Sequence, residues 1–306
     1  MTYPSKNSLN NVLSPLLFNL NESDKKVFAS LFDQDVSENT KQARVSDLKC
    51  FLKWYEKVNG ERFNFDRFTK RDVIDFKKHF QITHNHKPAT INRRLMSLRA
   101  LCKVAMELGR LDESPLKGVK QITSQPLAPK GLDPVELRKL LKEVEIRGNL
   151  RDKLIVEMLC GTGLRVSELV SLTVQDLRIS DRKGSVIVRN GKGGKYREVP
   201  LKSEIRVLIK AYLDKAKPDH YIFQGQRGPL KSIAINNIIE KYSKKAGVIC
   251  NPHALRHTFA YSFLKAHPSA LVPLSQLMGH SNIQTTAIYV QHSLETLMEK
   301  VESMIL

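Results

Sequence analysis

The chain has 306 residues, with 50 Lys+Arg against 31 Asp+Glu and a formal net charge of +19. At 41% hydrophobic and 26% charged residues it has the composition of a folded globular protein rather than a disordered or fibrous one, and its length suggests about two domains, each able to bury a core. The excess of positive charge points to a polyanionic partner, most simply nucleic acid.

Residues 1–36 are read as an N-terminal extension. Their apolar run from Val12 to Leu20 contains Ser14, Pro15 and Asn19; it is shorter than the roughly 20 residues of a membrane span and lacks the cationic start and cleavage site of a signal peptide. A helical unit follows over 37–116. Val45, Leu48, Leu52 and Tyr55 recur at helical spacing behind Ser37 as N-cap. A second helix starts near Thr69 and carries Val73, Ile74 and Phe76. A third, from about Thr90 to Leu108, places Ile91, Leu95, Leu98, Ala105 and Leu108 on one face and ends at Gly109. Arg93, Arg94, Arg99 and Lys103 lie on or near its opposite side. Residues 40–115 hold 17 Lys/Arg against 9 Asp/Glu, a net of +8, which marks a phosphate-tracking surface.

The stretch 117–130, with Lys117, Lys120, Lys130, Pro126, Pro129 and no acid, reads as a basic linker along DNA. The second domain spans 131–292 and opens on Asp133 as N-cap with Pro134 at the first helical position. It is mainly helical with one β-hairpin, Val186–Val188 and Tyr196–Val199 around a glycine-rich turn. The fold class expected is therefore mainly α with a small β-sheet (α+β). Cys50, Cys102, Cys160 and Cys250 are widely spaced and form no CxxC pair; this argues against a zinc ribbon or disulfide framework, and four free thiols in the cytoplasm are expected.

Four pieces of the second domain carry chemistry together. In Gly161-Thr162-Gly163-Leu164-Arg165-Val166-Ser167-Glu168, two glycines break one helix and start another, with Arg165 expected in its first turn, where free N–H groups favour an anion. No nucleotide-binding glycine motif is present. Lys192 sits in the hairpin turn. His253-Ala254-Leu255-Arg256-His257 places His253 and Arg256 on one helical face; the His253/His257 spacing without a third ligand is a poor zinc signal. Last comes Gly279-His280-Ser281 with Thr285-Thr286 and Tyr289.

An arginine, a hairpin lysine, HxLRH and GHS-x3-TT-x2-Y in this order resemble the tyrosine recombinase (phage-type integrase) family, over the whole second domain. The helical unit resembles that family's core-binding domain. The resemblance implies that Arg165 and Arg256 clamp the scissile phosphate and that Lys192 protonates the leaving 5′ oxygen. It implies further that His253 and His280 complete the phosphate pocket, that Glu168 supports it, and that Tyr289 is the nucleophile. His257 is expected to pack behind the site. The chemistry agrees: two guanidiniums offer bidentate charge to a pentacoordinate phosphorane, and a phenol of pKa about 10 needs nearby cations to favour its phenolate. No cofactor, metal or ATP is expected.

The expected partner is duplex DNA with specific sites, bound as a homotetramer on paired sites with or without accessory proteins, and the expected location is the cytoplasm and its nucleoid. The tail 293–306 carries Leu294, Leu297, Met298, Val301 and Ile305 on one stripe and a net charge of −2. It reads as a helix donated to a neighbouring subunit. The compact layout is most similar to Xer-like recombinases, from which Pro268 and Pro273 depart. A relaxing type IB topoisomerase and a non-catalytic DNA-binding regulator are the alternatives.

Overall fold

Polar caps and aromatic packing build the first of two units, Met1–Pro126, in the computed structural model; the second is Leu127–Leu306. Residues 20–123, 130–189, 196–280 and 282–290, with Glu302, are described. Helix α1 (Glu22–Asp33) is capped by Asn21, and α2 (Glu38–Asn59) by Ser37, as its sequence indicates. A capping box between Thr69 and Asp72 opens α3 (Lys70–Lys78), which runs into a π turn at His79–Thr83. Helix α4 (Pro88–Glu107) starts on a proline whose missing N–H would have had no helical partner.

Phe51 holds the centre, with Trp54, Tyr55, Phe63, Phe68 and Phe76 around it at ring-centroid distances of 5.2–6.0 Å. Tilted and edge-to-face pairs dominate here, as ring quadrupoles favour. The core also corrects the reading of residues 1–36 as an extension, because Val27, Phe28, Leu31 and Phe32 of α1 are buried in it. Burying each such side chain is worth about 1.5–3 kcal/mol, so α1 is part of the unit. A fully buried Asp24 locks it in place. Arg110 donates to Asp24 at 2.8 Å and to both Asp66 oxygens at 2.5 and 2.7 Å, tying α1 to the loop after α2 and to the end of α4.

In the second unit, α5 (Pro134–Arg147) begins at the Asp133 cap, with Asp133 and Glu136 in a capping box. It packs on α6 (Leu150–Thr162) and α9 (Ser232–Ala246), and α6 in turn packs on α8 (Ser203–Ala216) and α10 (Pro252–Ala266). The short helix α7 (Val166–Ser171) follows α6. The hairpin forms as β2 (Gly184–Val188) and β3 (Arg197–Pro200), with Val186 opposite Val199. A third strand, β1 (Leu177–Ile179), pairs antiparallel with β2; three residues are too few to display an alternating pattern. A second ladder joins β4 (Gln224–Gly225) to β5 (Gly228–Pro229). Helices α11 (Leu271–Met278) and α12 (Gln284–Ala287) close the described chain.

Pro273 occupies the third position of α11, where a backbone N–H has no intrahelical acceptor. The departure at Pro273 therefore leaves the helix intact. The mainly α architecture with a small sheet is the one expected from the sequence. The four cysteines are free thiols, and no described helix is long and apolar enough to cross a membrane.

Candidate active site

The site grows from two helix ends. Helix α6 stops at Gly163, whose φ of +64° belongs to the left-handed region; a Cβ there would meet the Phe259 ring at 2.4 Å. Arg165 is then the cap residue of α7, one position before the first turn in which it is expected. Glu168 is buried in that turn and accepts the Arg165 backbone N–H at 2.8 Å and its Nη1 at 2.8 Å. Its carboxylate also receives Arg197 through Nη1 at 2.9 Å and Nη2 at 2.7 Å.

Burial alone would raise the Glu168 pKa. The Arg197 side-chain bonds and the Arg165 backbone bond outweigh it and hold the carboxyl below its ordinary range. Arg197 is the residue of this pocket that sequence reasoning missed. The signal was available: Arg197 and Val199 are two apart on β3, so an inward Val199 puts Arg197 on the inner face too.

The second end is that of α11 at Gly279, also at φ +64°, where a Cβ would stand 2.8 Å from Arg197 Nη1. Arg256, buried on α10, donates Nη1 to the Gly163 carbonyl and Nη2 to the Met278 carbonyl at 2.7 Å. Its Nη2 also lies 3.0 Å from His280 Nε2. A guanidinium only donates, so Nε2 accepts and Nδ1 carries the hydrogen that is given to Thr286 Oγ1 at 2.8 Å. Arg165 reaches the same corner through Nη2 and the Gly279 carbonyl, at 3.3 Å. Burial and the neighbouring Arg165 lower the Arg256 pKa to about 10, which leaves it charged near neutrality. Burial, Arg256 and Arg165 push His280 down to about 4, so it is neutral.

Tyr289 closes the pocket and is 5% exposed. Its Oη lies 2.7 Å from His257 Nδ1. His257 was expected to pack behind the site; one turn along α10 from His253, with Tyr289 folded against it, it meets the phenol instead. The His253 and His257 rings lie nearly parallel at 6.2 Å. The phenol also departs from expectation: burial raises its pKa, and Arg256 and Arg165 only partly offset that. Tyr289 is thus a protonated phenol in this state. His253 is held below its ordinary pKa by burial, Arg256 and Arg165.

Lys192 lies outside the described residues, as do residues 124–129 of the linker and all of the tail 293–306 but Glu302, including Leu294, Leu297, Met298, Val301 and Ile305. The basic candidates of the first unit separate into groups. Arg93, Arg99 and Lys103 line an open groove of about 600 Å³ between α2 and α4, joined by Arg44, which the sequence reading passed over. Arg94 is not among them. It is 13% exposed, lies 4.0 Å from buried Asp47 and sits 4.2 Å above the Phe80 ring. Lys117 pairs with Glu113, and the Lys120 carbonyl accepts Lys77 Nζ at 2.8 Å. Among the described residues no three His, Cys, Asp or Glu side chains converge as metal ligands.

Taken together, two guanidiniums, three imidazoles and a phenol lie in one region of the second unit. That set can bind a tetrahedral or pentacoordinate phosphoryl group and offer it an oxygen nucleophile.

The chain is similar in sequence and fold to known proteins. The model of the phage integrase family matches residues 130–295. A tyrosine recombinase of Pseudothermotoga lettingae is 32% identical over 259 residues, covering 83% of this chain and 88% of that protein. Tyrosine recombinase XerA of Pyrococcus furiosus is 38% identical over 179 residues, 57% of this chain. The chain spans 61% of the length of that relative and of its Pyrococcus horikoshii counterpart. In fold, the chain is similar to XerH site-specific recombinase bound to difH substrate, with a TM-score of 0.74 at 20% identity over 98% of this chain and 89% of that one.

Proposed function

The chain belongs to the phage integrase family, and on that premise we propose that it is a site-specific DNA recombinase. It cuts and rejoins strands through a covalent 3′-phosphotyrosine and a Holliday junction, in DNA integration, excision or resolution. The observation that carries this reading is the corner in which the backbone carbonyls of residues 163, 278 and 279 hold Arg165 and Arg256, with His280 bonded to Arg256 and Tyr289 within electrostatic reach of both arginines.

A phosphodiester gains negative charge as it becomes five-coordinate. Donors fixed beforehand stabilise that charge without reorganising. Arg165 and Arg256 supply them, with His253 and His280 completing the ring of polar groups. Tyr289 Oη attacks phosphorus, and the 5′ oxygen leaves with a proton from Lys192. Exchanging one phosphodiester for another conserves bond energy, so neither ATP nor a metal is required. Glu168 and Arg197 act from behind by holding Arg165.

The basic groove between α2 and α4 suits contact with DNA phosphates through Arg44, Arg93, Arg99 and Lys103. The apolar stripe of the tail supports assembly as a homotetramer on paired sites. Deleting 293–306 is expected to leave single-site binding and to weaken synapsis. Action on duplex DNA suits a cytoplasmic enzyme at the nucleoid.

The experiment is a nicked suicide duplex built on the sequence that the chain protects in footprinting. An SDS-stable protein–DNA adduct is expected from the native chain and none from Tyr289→Phe. An adduct of equal yield from Tyr289→Phe, or none from either, overturns the mechanism. Recombination between two sites on one plasmid then separates a recombinase from a relaxing type IB topoisomerase, and the adduct itself excludes a binding-only regulator.

A further inference from the structure

The position of His257 does more than fill space. Its Nδ1 lies 2.7 Å from the Tyr289 Oη, and the rings meet at a tilt of 47° with centroids 5.6 Å apart. This is the reach required of a general base toward the proton it removes. Resting on the nucleophile role proposed above, we propose that His257 is a further catalytic residue, the base that takes the phenolic proton of Tyr289 as its oxygen attacks phosphorus.

The step balances within the site. The Tyr289 O–H bond breaks toward the Nδ1 lone pair, and the phenolic electron pair forms the new O–P bond. The P–O5′ bond breaks, its electron pair stays on the 5′ oxygen, and the acid role assigned to Lys192 supplies the proton. In rejoining, the incoming 5′-hydroxyl gives its proton to that amine, and the His257 imidazolium returns its own to the departing phenol.

The surroundings of the pair set when this transfer occurs. On α10, His253 stacks near His257, Arg256 lies within electrostatic reach, and Tyr261 meets the Tyr289 ring edge-on at 5.3 Å. His280 approaches from the turn after α11, and Arg165 from the cap of α7. Burial, His253 and Arg256 hold His257 below its ordinary pKa, in the neutral form whose lone pair can accept a proton. The same cations oppose an imidazolium. A phosphate seated between Arg165 and Arg256 offsets them with negative charge, so substrate arrival itself makes His257 a stronger base. Without DNA the nucleophile stays a protonated phenol.

The test is the single-turnover rate of adduct formation on the suicide duplex from pH 5.5 to 9, for the full chain. The native protein is expected to show an acid limb with a midpoint below that of free histidine. His257→Gln and His257→Phe are expected to slow cleavage at least about 100-fold and to lose that limb. Replacing Tyr289 by a ring-fluorinated tyrosine, whose phenol is more acidic, is expected to restore His257→Gln to within tenfold of the native rate, because an ionised phenol needs no base. Native-rate cleavage by His257→Gln overturns the proposal, as does slowing that the fluorinated tyrosine leaves unrelieved. Should neither variant fold, fluorinated Tyr289 in the native chain decides instead: its acid limb moves toward the phenol's own ionisation, and an unmoved limb overturns the proposal. The Tyr289→Phe adduct assay tests the recombinase reading independently of His257.

Discussion

Replacing Glu168 by glutamine leaves the shape of the side chain and removes its charge. The carboxylate is buried and accepts four hydrogen bonds, two from Arg165 and two from Arg197. In Glu168→Gln, one face of the side chain becomes an NH2 group aimed at donors that cannot accept it. The two guanidiniums lose their shared counter-charge, and the Arg197 side chain is only 9% exposed. Removing one partner of a buried, hydrogen-bonded ion pair costs about 3–5 kcal/mol. With a urea m-value of about 2 kcal/mol/M, the unfolding midpoint of the second unit is expected to fall by roughly 2 M.

The assay has an internal control. The single tryptophan, Trp54, lies in the core of the first unit, so its fluorescence follows that unit while far-ultraviolet circular dichroism follows both. Glu168→Gln is expected to shift the dichroism transition and leave the Trp54 transition in place. The pH dependence has a definite sign. The carboxyl is depressed below 4.5 in the folded chain, so its contribution is complete above the unfolded value and disappears as pH falls through the folded one. The gap between native and variant therefore closes below about pH 4.5. A midpoint shift under about 0.3 M at pH 7, or a gap that widens on acidification, refutes the reasoning.

Two further substitutions test the frame around the site and the core of the other unit. Gly163→Ala combines a left-handed backbone with a methyl group driven into Phe259; a loss of about 2–4 kcal/mol in the stability of the second unit is expected by urea titration. Arg110→Ala strands the buried Asp24 carboxylate, and a loss of about 3–5 kcal/mol should appear in the Trp54 transition.

Helix starts were the most legible part of the sequence, because Ser37, Thr69 and Asp133 announce themselves by side-chain chemistry that acts within three residues. Helix α1 was missed for the opposite reason. Its identity as core depends on partners such as Phe63 and Phe65, far along the chain, and on Arg110 reaching back 86 positions to Asp24. The pocket was legible as a set of residue types in order, but its wiring was not. Nothing local says that Glu168 serves Arg197 as well as Arg165, or that His257 rather than His253 meets Tyr289. Arg94 shows the same limit. On a helical wheel it belongs with its basic neighbours, and only the fold sets it against Asp47 and Phe80.

The carbonyl ends of α6 and α11 hold Arg256 and Arg165 close together before any anion arrives. Two like charges kept side by side weigh against the fold, and together with burial, the larger effect, that repulsion lowers the pKa of Arg256. Whatever anion cancels that repulsion becomes a folding ligand of the second unit. By mass action, its affinity for the pocket and the resistance of that unit to unfolding then rise together. The protein's thermal midpoint thereby becomes a reading of how full its pocket is.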